Sequence, residues 1–199
     1  MKSISFSALA PAVIAVSAMF SVATSSFAQN APQVKFATTA GDFVVEVYPD
    51  KAPKTVENFL QYVKDKHYDG TIFHRVIENF MVQGGGFDAK YEQKPTRAPV
   101  VHEGREALAK GGPKNVVGTL AMARTNDPQS ATAQFFINVK DNAFLDPTAQ
   151  SFGYTVFGKV IGGMDVVQKI KTTPTGPGGP FPSDVPKTPI LINTATLVK

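Results

Sequence analysis

The stretch TIFHRVIENFMVQGGG, residues 71–86, combines strand-forming apolar residues with a charged side chain. Strand alternation places Phe73, Arg75 and Ile77 on one face of a predicted strand. Three glycines, residues 84–86, close the stretch. The pattern raises two questions: what a permanent cation does on an apolar face, and why glycines follow it.

Similar short apolar segments, bounded by Gly, Asn, Asp or Pro, recur along the rest of the chain. Two strands are predicted within 33–50, and others at 72–76, 81–83, 118–122, 134–138, 156–160 and 190–198. Apolar spacing predicts one helix within 52–70 and another within 162–171. Many short strands with two helices favour a closed or nearly closed antiparallel sheet whose ends the helices cover.

Two segments lack a clear helix or strand pattern. Residues 90–115 are rich in Gly and Pro and are predicted to be mostly loop, with one or two helical turns at 103–110. Residues 174–189 are predicted to be a Pro/Gly-rich surface loop, a proline-rich ligand for another domain being the alternative. No internal repeat and no second domain are apparent in the sequence.

The N-terminus has the layout of a secretory signal peptide. Lys2 precedes an apolar centre at about 8–23, and the small residues Ser26 and Ala28 flank one position. A membrane anchor is the alternative, but the apolar centre is short for a bilayer span of about 20 residues. The sequence therefore predicts a signal peptide at 1–28, a single domain at 29–199, export, and no membrane span after cleavage.

Composition excludes several classes of site. The 199 residues include no cysteine, so disulfides and thiol-based chemistry are excluded. The formal net charge is +4, and it falls to +3 once Lys2 is removed with the signal peptide. That charge is weak and scattered, so no nucleic acid partner is expected. The three histidines have no ligand-like spacing; no metal is expected, and His74 is interpreted as a hydrogen-bonded core residue.

Arg75 has two interpretations from its own strand. It is either a structural ion pair whose stem covers apolar surface, or part of a concave apolar site. The segments FMVQGG, QFFINV (134–139) and NAFLD (142–146) would add apolar side chains and two amides to such a site. A pocket of that composition suits a neutral apolar group next to an amide. The glycines lack the Lys-Ser/Thr of a phosphate loop, so a turn or bulge is predicted there.

Five motifs carry a resemblance to a known family. FHRVIENFMVQGG, GTLAMAR, ATAQFFINV, NAFLD and FGYTVFGKV resemble the cyclophilin family of peptidyl-prolyl cis-trans isomerases, in the family's order. The match runs from about Val34 to Leu197 and is strongest to bacterial periplasmic cyclophilins. It implies a mainly β fold, a closed eight-stranded antiparallel barrel capped by two α-helices, and a periplasmic location.

The resemblance also implies roles for individual residues and a type of partner. Arg75 matches the catalytic arginine, and Gln83 matches the glutamine that helps orient it. The residues matching the proline pocket are Phe80, Met81, Phe136 and Leu145; those beside the substrate backbone are Ala123, Arg124 and Gln134. The implied partners are unfolded or proline-containing polypeptides, and no cofactor is implied. A non-catalytic proline-binding module or holdase is the alternative function.

Two positions depart from the eukaryotic pattern. Phe144 stands where many eukaryotic cyclophilins have a tryptophan important for cyclosporin, so weak cyclosporin binding is expected. Tyr154 stands where they often have a histidine, a difference that bears on substrate preference rather than activity. The stretch 103–118 is longer than in similar proteins. A monomer is expected.

Overall fold

The structure, a computed structural model, describes Met1 and residues 31–198. The signal peptide predicted for residues 1–28 lies outside these residues, apart from Met1. Within the described part of the chain, no helix is both long enough and apolar enough to cross a membrane.

Eight strands close into an antiparallel barrel, which confirms the predicted fold class. In chain order the barrel strands are β1 (Gln33–Thr38), β2 (Gly41–Val47), β3 (Thr71–Ile77), β4 (Met81–Asp88), β5 (Thr119–Met122), β6 (Phe135–Asn138), β7 (Val156–Gly162) and β10 (Leu191–Leu197). Neighbours around the barrel follow the order β1, β10, β3, β4, β6, β5, β7, β2, and β2 pairs with β1 again. The other elements are α1 (Pro53–Lys64), α2 (Gly104–Ala109), a 3₁₀ turn (Ala143–Leu145), α3 (Met164–Lys171), β8 (Thr175–Gly178) and β9 (Phe181–Pro186).

Aromatic side chains fill the interior of the barrel. Phe36 stacks on Phe43 with ring centroids 4.9 Å apart, and Phe135 lies 5.4 Å from Phe36. The apolar stripes of the two longer helices join the same core, where Phe59 of α1 and Val167 of α3 are fully buried. Both helices therefore pack on the barrel through the stripes that their sequence spacing predicts.

Strand β3 does not alternate as its sequence predicts, because a β-bulge interrupts its pairing with β4. Phe73 pairs with Gly84 and Arg75 pairs with Gln83, so His74 is an extra residue on β3. Phe73 is fully buried in the barrel core, whereas Arg75 is exposed on the outside. The prediction that Phe73 and Arg75 share a face is therefore wrong.

The glycines of 84–86 lie within β4 and allow close packing at a second irregularity in its pairing with β3. Gly85 has φ +84°, and a Cβ there would lie 2.8 Å from Cε1 of Tyr68. A Cβ on Gly86 would lie 2.5 Å from Cγ of Gln134. The sequence predicts a turn or a bulge here, and the structure shows a bulge. Because glycine has no side chain, Gly85 and Gly86 leave room for Tyr68 and Gln134.

The segment predicted as a Pro/Gly-rich loop, 174–189, instead contains a two-stranded antiparallel hairpin formed by β8 and β9. Thr175 pairs with Pro186, and Gly176 pairs with Val185, whose side chain is buried. Prolines are rare inside strands, which is why the sequence does not indicate this hairpin.

Glu103, the first residue of the stretch 103–118, caps the N-terminus of helix α1. Ala52, the N-cap residue of α1, has no side-chain acceptor. The buried carboxylate of Glu103 accepts hydrogen bonds from the backbone N–H groups of Lys54 at 3.1 Å and Thr55 at 2.7 Å. It also accepts the Thr55 hydroxyl at 2.7 Å. A negative charge at this end of a helix also interacts favourably with the helix dipole.

Replacing Glu103 with glutamine is expected to lower the free energy of unfolding by about 1–3 kcal/mol. The amide would keep the shape but lose the charge, and its NH₂ group would face backbone donors. Urea denaturation of both proteins measures the difference. Glu106→Gln, an exposed position in α2, is the matched control and should change stability by less than about 0.5 kcal/mol. An unchanged urea midpoint for the Glu103 variant would contradict the capping role.

Candidate active site

A row of paired residues crosses four neighbouring strands on the outer face of the barrel. Arg75 pairs with Gln83, Gln83 with Phe136, and Phe136 with Ala121. Residues directly opposite one another in a sheet project to the same side. The pairing therefore brings the predicted arginine, an amide and an aromatic ring onto one surface.

An apolar cluster separate from the barrel core forms the floor of this surface. Its buried members are Met81, Ala121, Phe136, Leu145 and Val156. Phe80, Ala123 and Tyr154 pack against it, and the Tyr154 ring meets that of Phe136 edge to face at 5.4 Å. The apolar pattern alone does not separate these residues from those of the barrel core, and their place in the site is what the resemblance implies.

A groove with a volume of about 560 Å³ opens above this floor. Ten of the eleven residues predicted for the site line it: Arg75, Phe80, Met81, Gln83, Ala123, Arg124, Gln134, Phe136, Leu145 and Tyr154. The volume is within the range of small-ligand sites. The Arg75 side chain is 45% exposed, so its guanidinium is accessible to a ligand in the groove.

The two amides of the site bind each other. Nε2 of Gln83 donates to Oε1 of Gln134 at 2.9 Å. Among the side-chain hydrogen bonds of the described residues, none joins Gln83 to Arg75. The charged partner of Arg75 is instead Asp184, whose Oδ2 lies 3.9 Å from Nε. The orienting role that the resemblance implies for Gln83 is therefore not visible as a direct contact.

Arg124 is held by the protein itself. Its Nε and Nη2 donate to the carbonyl of Gly153 at 3.0 and 2.8 Å, and its Nη1 donates to the Thr125 carbonyl at 2.8 Å. The guanidinium also lies over the Tyr154 ring, 4.7 Å from its centroid. Arg124 therefore forms a fixed wall of the groove, whereas the Arg75 guanidinium is less constrained.

A buried polar network fixes the 3₁₀ turn that carries Leu145. Asp146 accepts hydrogen bonds from the backbone and side-chain nitrogens of Asn115 at 2.8 and 3.0 Å. Asn142 donates to the Phe80 carbonyl at 2.9 Å. Asn115 lies in the stretch 103–118, so this stretch supports the groove as well as α1.

Phe144, the eleventh predicted residue, lies on the rim rather than in the groove. It is 72% exposed, and its ring stacks on Phe80 at 5.7 Å. Sequence reasoning missed one wall of the groove, which consists of His74, Phe87 and residues 181–184. Their signal in the sequence is weak, because the Pro/Gly pattern of 174–189 predicts a loop and the strand alternation predicts His74 in the core.

His74 is buried outside the barrel, between the groove and the hairpin. Its ring lies 4.8 Å from that of Phe87 and 5.4 Å from that of Phe181. Within the described residues, its Nδ1 has no hydrogen-bond partner, so the predicted hydrogen bonding does not hold at this atom. Burial, followed by the neighbouring charge of Arg75, lowers the pKa of His74 to about 4.

Comparison with protein families agrees with this geometry. The family model described as cyclophilin type peptidyl-prolyl cis-trans isomerase/CLD matches residues 33–197. The crystal structure of a cyclophilin type peptidyl-prolyl cis-trans isomerase from Cryptosporidium parvum is similar, with a TM-score of 0.65 and 23% sequence identity. The match covers 85% of this chain and 98% of that chain, and at this identity it supports the fold alone.

Curated bacterial proteins are more similar in sequence. Peptidyl-prolyl cis-trans isomerase cyp18 of Streptomyces antibioticus is 54% identical over 83% of this chain and 98% of its own length. Peptidyl-prolyl cis-trans isomerase B of Escherichia coli is 52% identical over 82% and 98%. Peptidyl-prolyl cis-trans isomerase A of Dickeya dadantii is 46% identical over 94% and 96%.

Proposed function

The chain belongs to the cyclophilin type peptidyl-prolyl cis-trans isomerase family and is a peptidyl-prolyl isomerase, and we propose that Arg75 and its groove carry this activity. The observation that supports the proposal most is the position of Arg75. Its partly exposed guanidinium stands beside an apolar floor that contains Met81, Phe136 and Leu145. This floor would hold the proline ring, and Arg75 would then face the rotating bond.

The chemistry follows from the peptide bond. Rotation about an X-Pro bond takes tens to hundreds of seconds because amide resonance must be broken. At the twisted midpoint the proline nitrogen becomes pyramidal and gains a lone pair. A guanidinium N–H that donates to this lone pair stabilises the twisted state more than the planar one. No covalent bond breaks, so the step needs no nucleophile and no proton transfer.

The required stabilisation is modest. Raising a rate of roughly 0.01 per second to an ordinary turnover of ~10 to 1,000 per second takes about 4–7 kcal/mol. One charge-assisted hydrogen bond, formed where the groove excludes water, supplies part of it. Positioning of the ring against Phe136 and Leu145 supplies the remainder.

A proline-peptide isomerisation assay on residues 29–199 tests the proposal. We expect catalysis that saturates with peptide concentration. An inactive protein that still suppresses aggregation of an unfolded client would favour the holdase instead. Activity that survives loss of the Arg75 guanidinium would refute the assignment of the catalytic group.

Export is part of the proposal. The predicted signal peptide, 1–28, supports a periplasmic location and a role in folding exported proteins. The enzyme would act as a monomer on unfolded, proline-containing segments. Cell fractionation with N-terminal sequencing tests the export: recovery of a protein that begins at Gln29 in the periplasm supports it, and an uncleaved cytoplasmic protein contradicts it.

Weak cyclosporin binding is proposed from the rim residue Phe144. Phenylalanine has no N–H donor, whereas a tryptophan indole has one. Phe144→Trp is therefore expected to lower the cyclosporin inhibition constant about five- to tenfold, the value of one added hydrogen bond. Inhibition of isomerisation measures it, with Phe144→Leu as the control that adds no donor. Equal inhibition of the tryptophan and leucine variants would contradict the prediction.

A further inference from the structure

The hairpin β8–β9 forms one wall of the groove and is anchored by aromatic packing. The Phe181 ring meets that of Phe87 edge to face at 5.0 Å and lies 5.4 Å from the ring of His74. Gly179 packs so closely on the Tyr91 ring that a side chain there would overlap it. The hairpin is therefore held against β3 and β4, and it presents residues 181–184 to the groove.

Asp184 has an unusual backbone conformation in this wall. Its φ is +65°, a left-handed value that aspartate and asparagine tolerate better than most residues. The conformation directs its carboxylate toward Arg75, where Oδ2 lies 3.9 Å from Nε. Asp184 is the only carboxylate among the described residues that line the groove.

The site leaves Arg75 without another orienting partner. Nε2 of Gln83 donates to Gln134, Oε1 of Gln83 makes no hydrogen bond to Arg75, and no side-chain hydrogen bond of the described residues fixes the Arg75 guanidinium. An attraction directed at Nε leaves both terminal NH₂ groups free to face a ligand. The same attraction strengthens when a bound peptide excludes water from the groove.

We propose that Asp184 is a positioning residue for Arg75: its carboxylate holds the Nε edge of the guanidinium so that the terminal nitrogens face the X-Pro bond. This inference rests on the proposed catalytic role of Arg75. It assigns a function to the 174–189 segment, which carries the residue that orients the arginine.

The primary test is Asp184→Asn, which keeps a residue tolerant of the left-handed backbone and removes the charge. For a neutral X-Pro peptide, we expect kcat to fall about two- to fivefold, the value of a partly exposed ion pair, while KM stays nearly constant. Raising the salt concentration to about 1 M should slow the parent by a similar factor, because salt screens the pair, and should leave the variant unchanged. Asp184→Gly, which also accepts a positive φ, should match the asparagine variant.

Two comparisons distinguish a positioning role from a general effect of surface charge. Asp50→Asn removes an ion pair to Lys51 on the surface away from the groove and should leave kcat unchanged. In an Arg75→Ala background, Asp184→Asn should have no further effect, since Asp184 acts through the guanidinium. A parent-like kcat in Asp184→Asn, a rise confined to KM, or an equal loss in the Arg75→Ala background would overturn the inference. An inactive parent would instead refute the proposed function.

Discussion

Replacing Arg75 with alanine is expected to lower kcat/KM for an X-Pro peptide by about 100- to 1,000-fold, the usual effect of removing one donor that stabilises a transition state. The loss should be mainly in kcat, because the donor is proposed to act on the twisted bond rather than on the ground state. Isomerisation rates over a range of peptide concentrations measure both constants.

The fold of this variant should be intact. The Arg75 side chain is 45% exposed, and its ion pair with Asp184 is long, so its removal should change the melting temperature little. A loss of activity without a loss of stability is therefore diagnostic of a role in catalysis.

Two substitutions serve as controls. Arg75→Lys retains the charge but loses the planar fork of donors, so its activity should lie between those of the parent and the alanine variant. Arg105→Ala removes a guanidinium that lies over Phe152, outside the groove, and should keep full activity. If Arg75→Ala isomerises as fast as Arg105→Ala, the catalytic assignment is wrong.

The barrel could be predicted because its determinants are local, whereas most of the groove is predicted from the resemblance of five motifs to a known family. Short apolar segments bounded by Gly and Pro mark the strands. Each of the five motifs is short, so its groove residues lie on a single strand or turn or on two consecutive ones. Phe136 and Leu145 are examples: each sits in a short motif that resembles the family's, and that resemblance implies its place in the groove. The structure then brings these motifs together by strand pairing.

The bulge at His74 could not be predicted, because it depends on how β3 pairs with β4. A single extra residue reverses the alternation, so Phe73 enters the core and Arg75 remains outside. The sequence of β3 alone supports the regular alternation equally well. The register is determined by the pairing of β3 with β4, not by the sequence of either strand alone.

Two other features depend on contacts between distant parts of the chain. Glu103 caps α1 through Thr55, 48 residues earlier, so neither segment indicates the cap by itself. The hairpin that carries Asp184, residues 175–186, contains four prolines, which favour a loop over a strand. Its stability comes from aromatic packing on Phe87 and Tyr91, which the local sequence does not reveal.

The buried imidazole of His74 is expected to make the protein less stable as the pH falls from about 6.5 to 4. Burial keeps this ring neutral in the folded state, where its pKa is about 4, while in the unfolded chain it takes up a proton near pH 6.5. Between these values the unfolded state binds more protons, so the free energy of unfolding decreases as the solution is acidified. The lowering of the pKa by about 2.5 corresponds to roughly 3 kcal/mol by pH 4.

Urea denaturation of the parent and of His74→Phe at pH 7 and at pH 4 measures this contribution. Phenylalanine does not titrate, and it fits the aromatic contacts with Phe87 and Phe181. The variant should therefore lose about 3 kcal/mol less stability on acidification than the parent.

His74→Asn is the matched control, since it alters the packing at both pH values but should show the same reduced pH dependence. His67 and His102, whose pKa values burial also lowers, titrate equally in all three proteins and cancel in the comparison. Equal losses of stability on acidification in the parent and both variants would show that His74 takes up its proton as readily in the folded protein as in the unfolded chain. The proposed origin of the acid sensitivity would then be wrong.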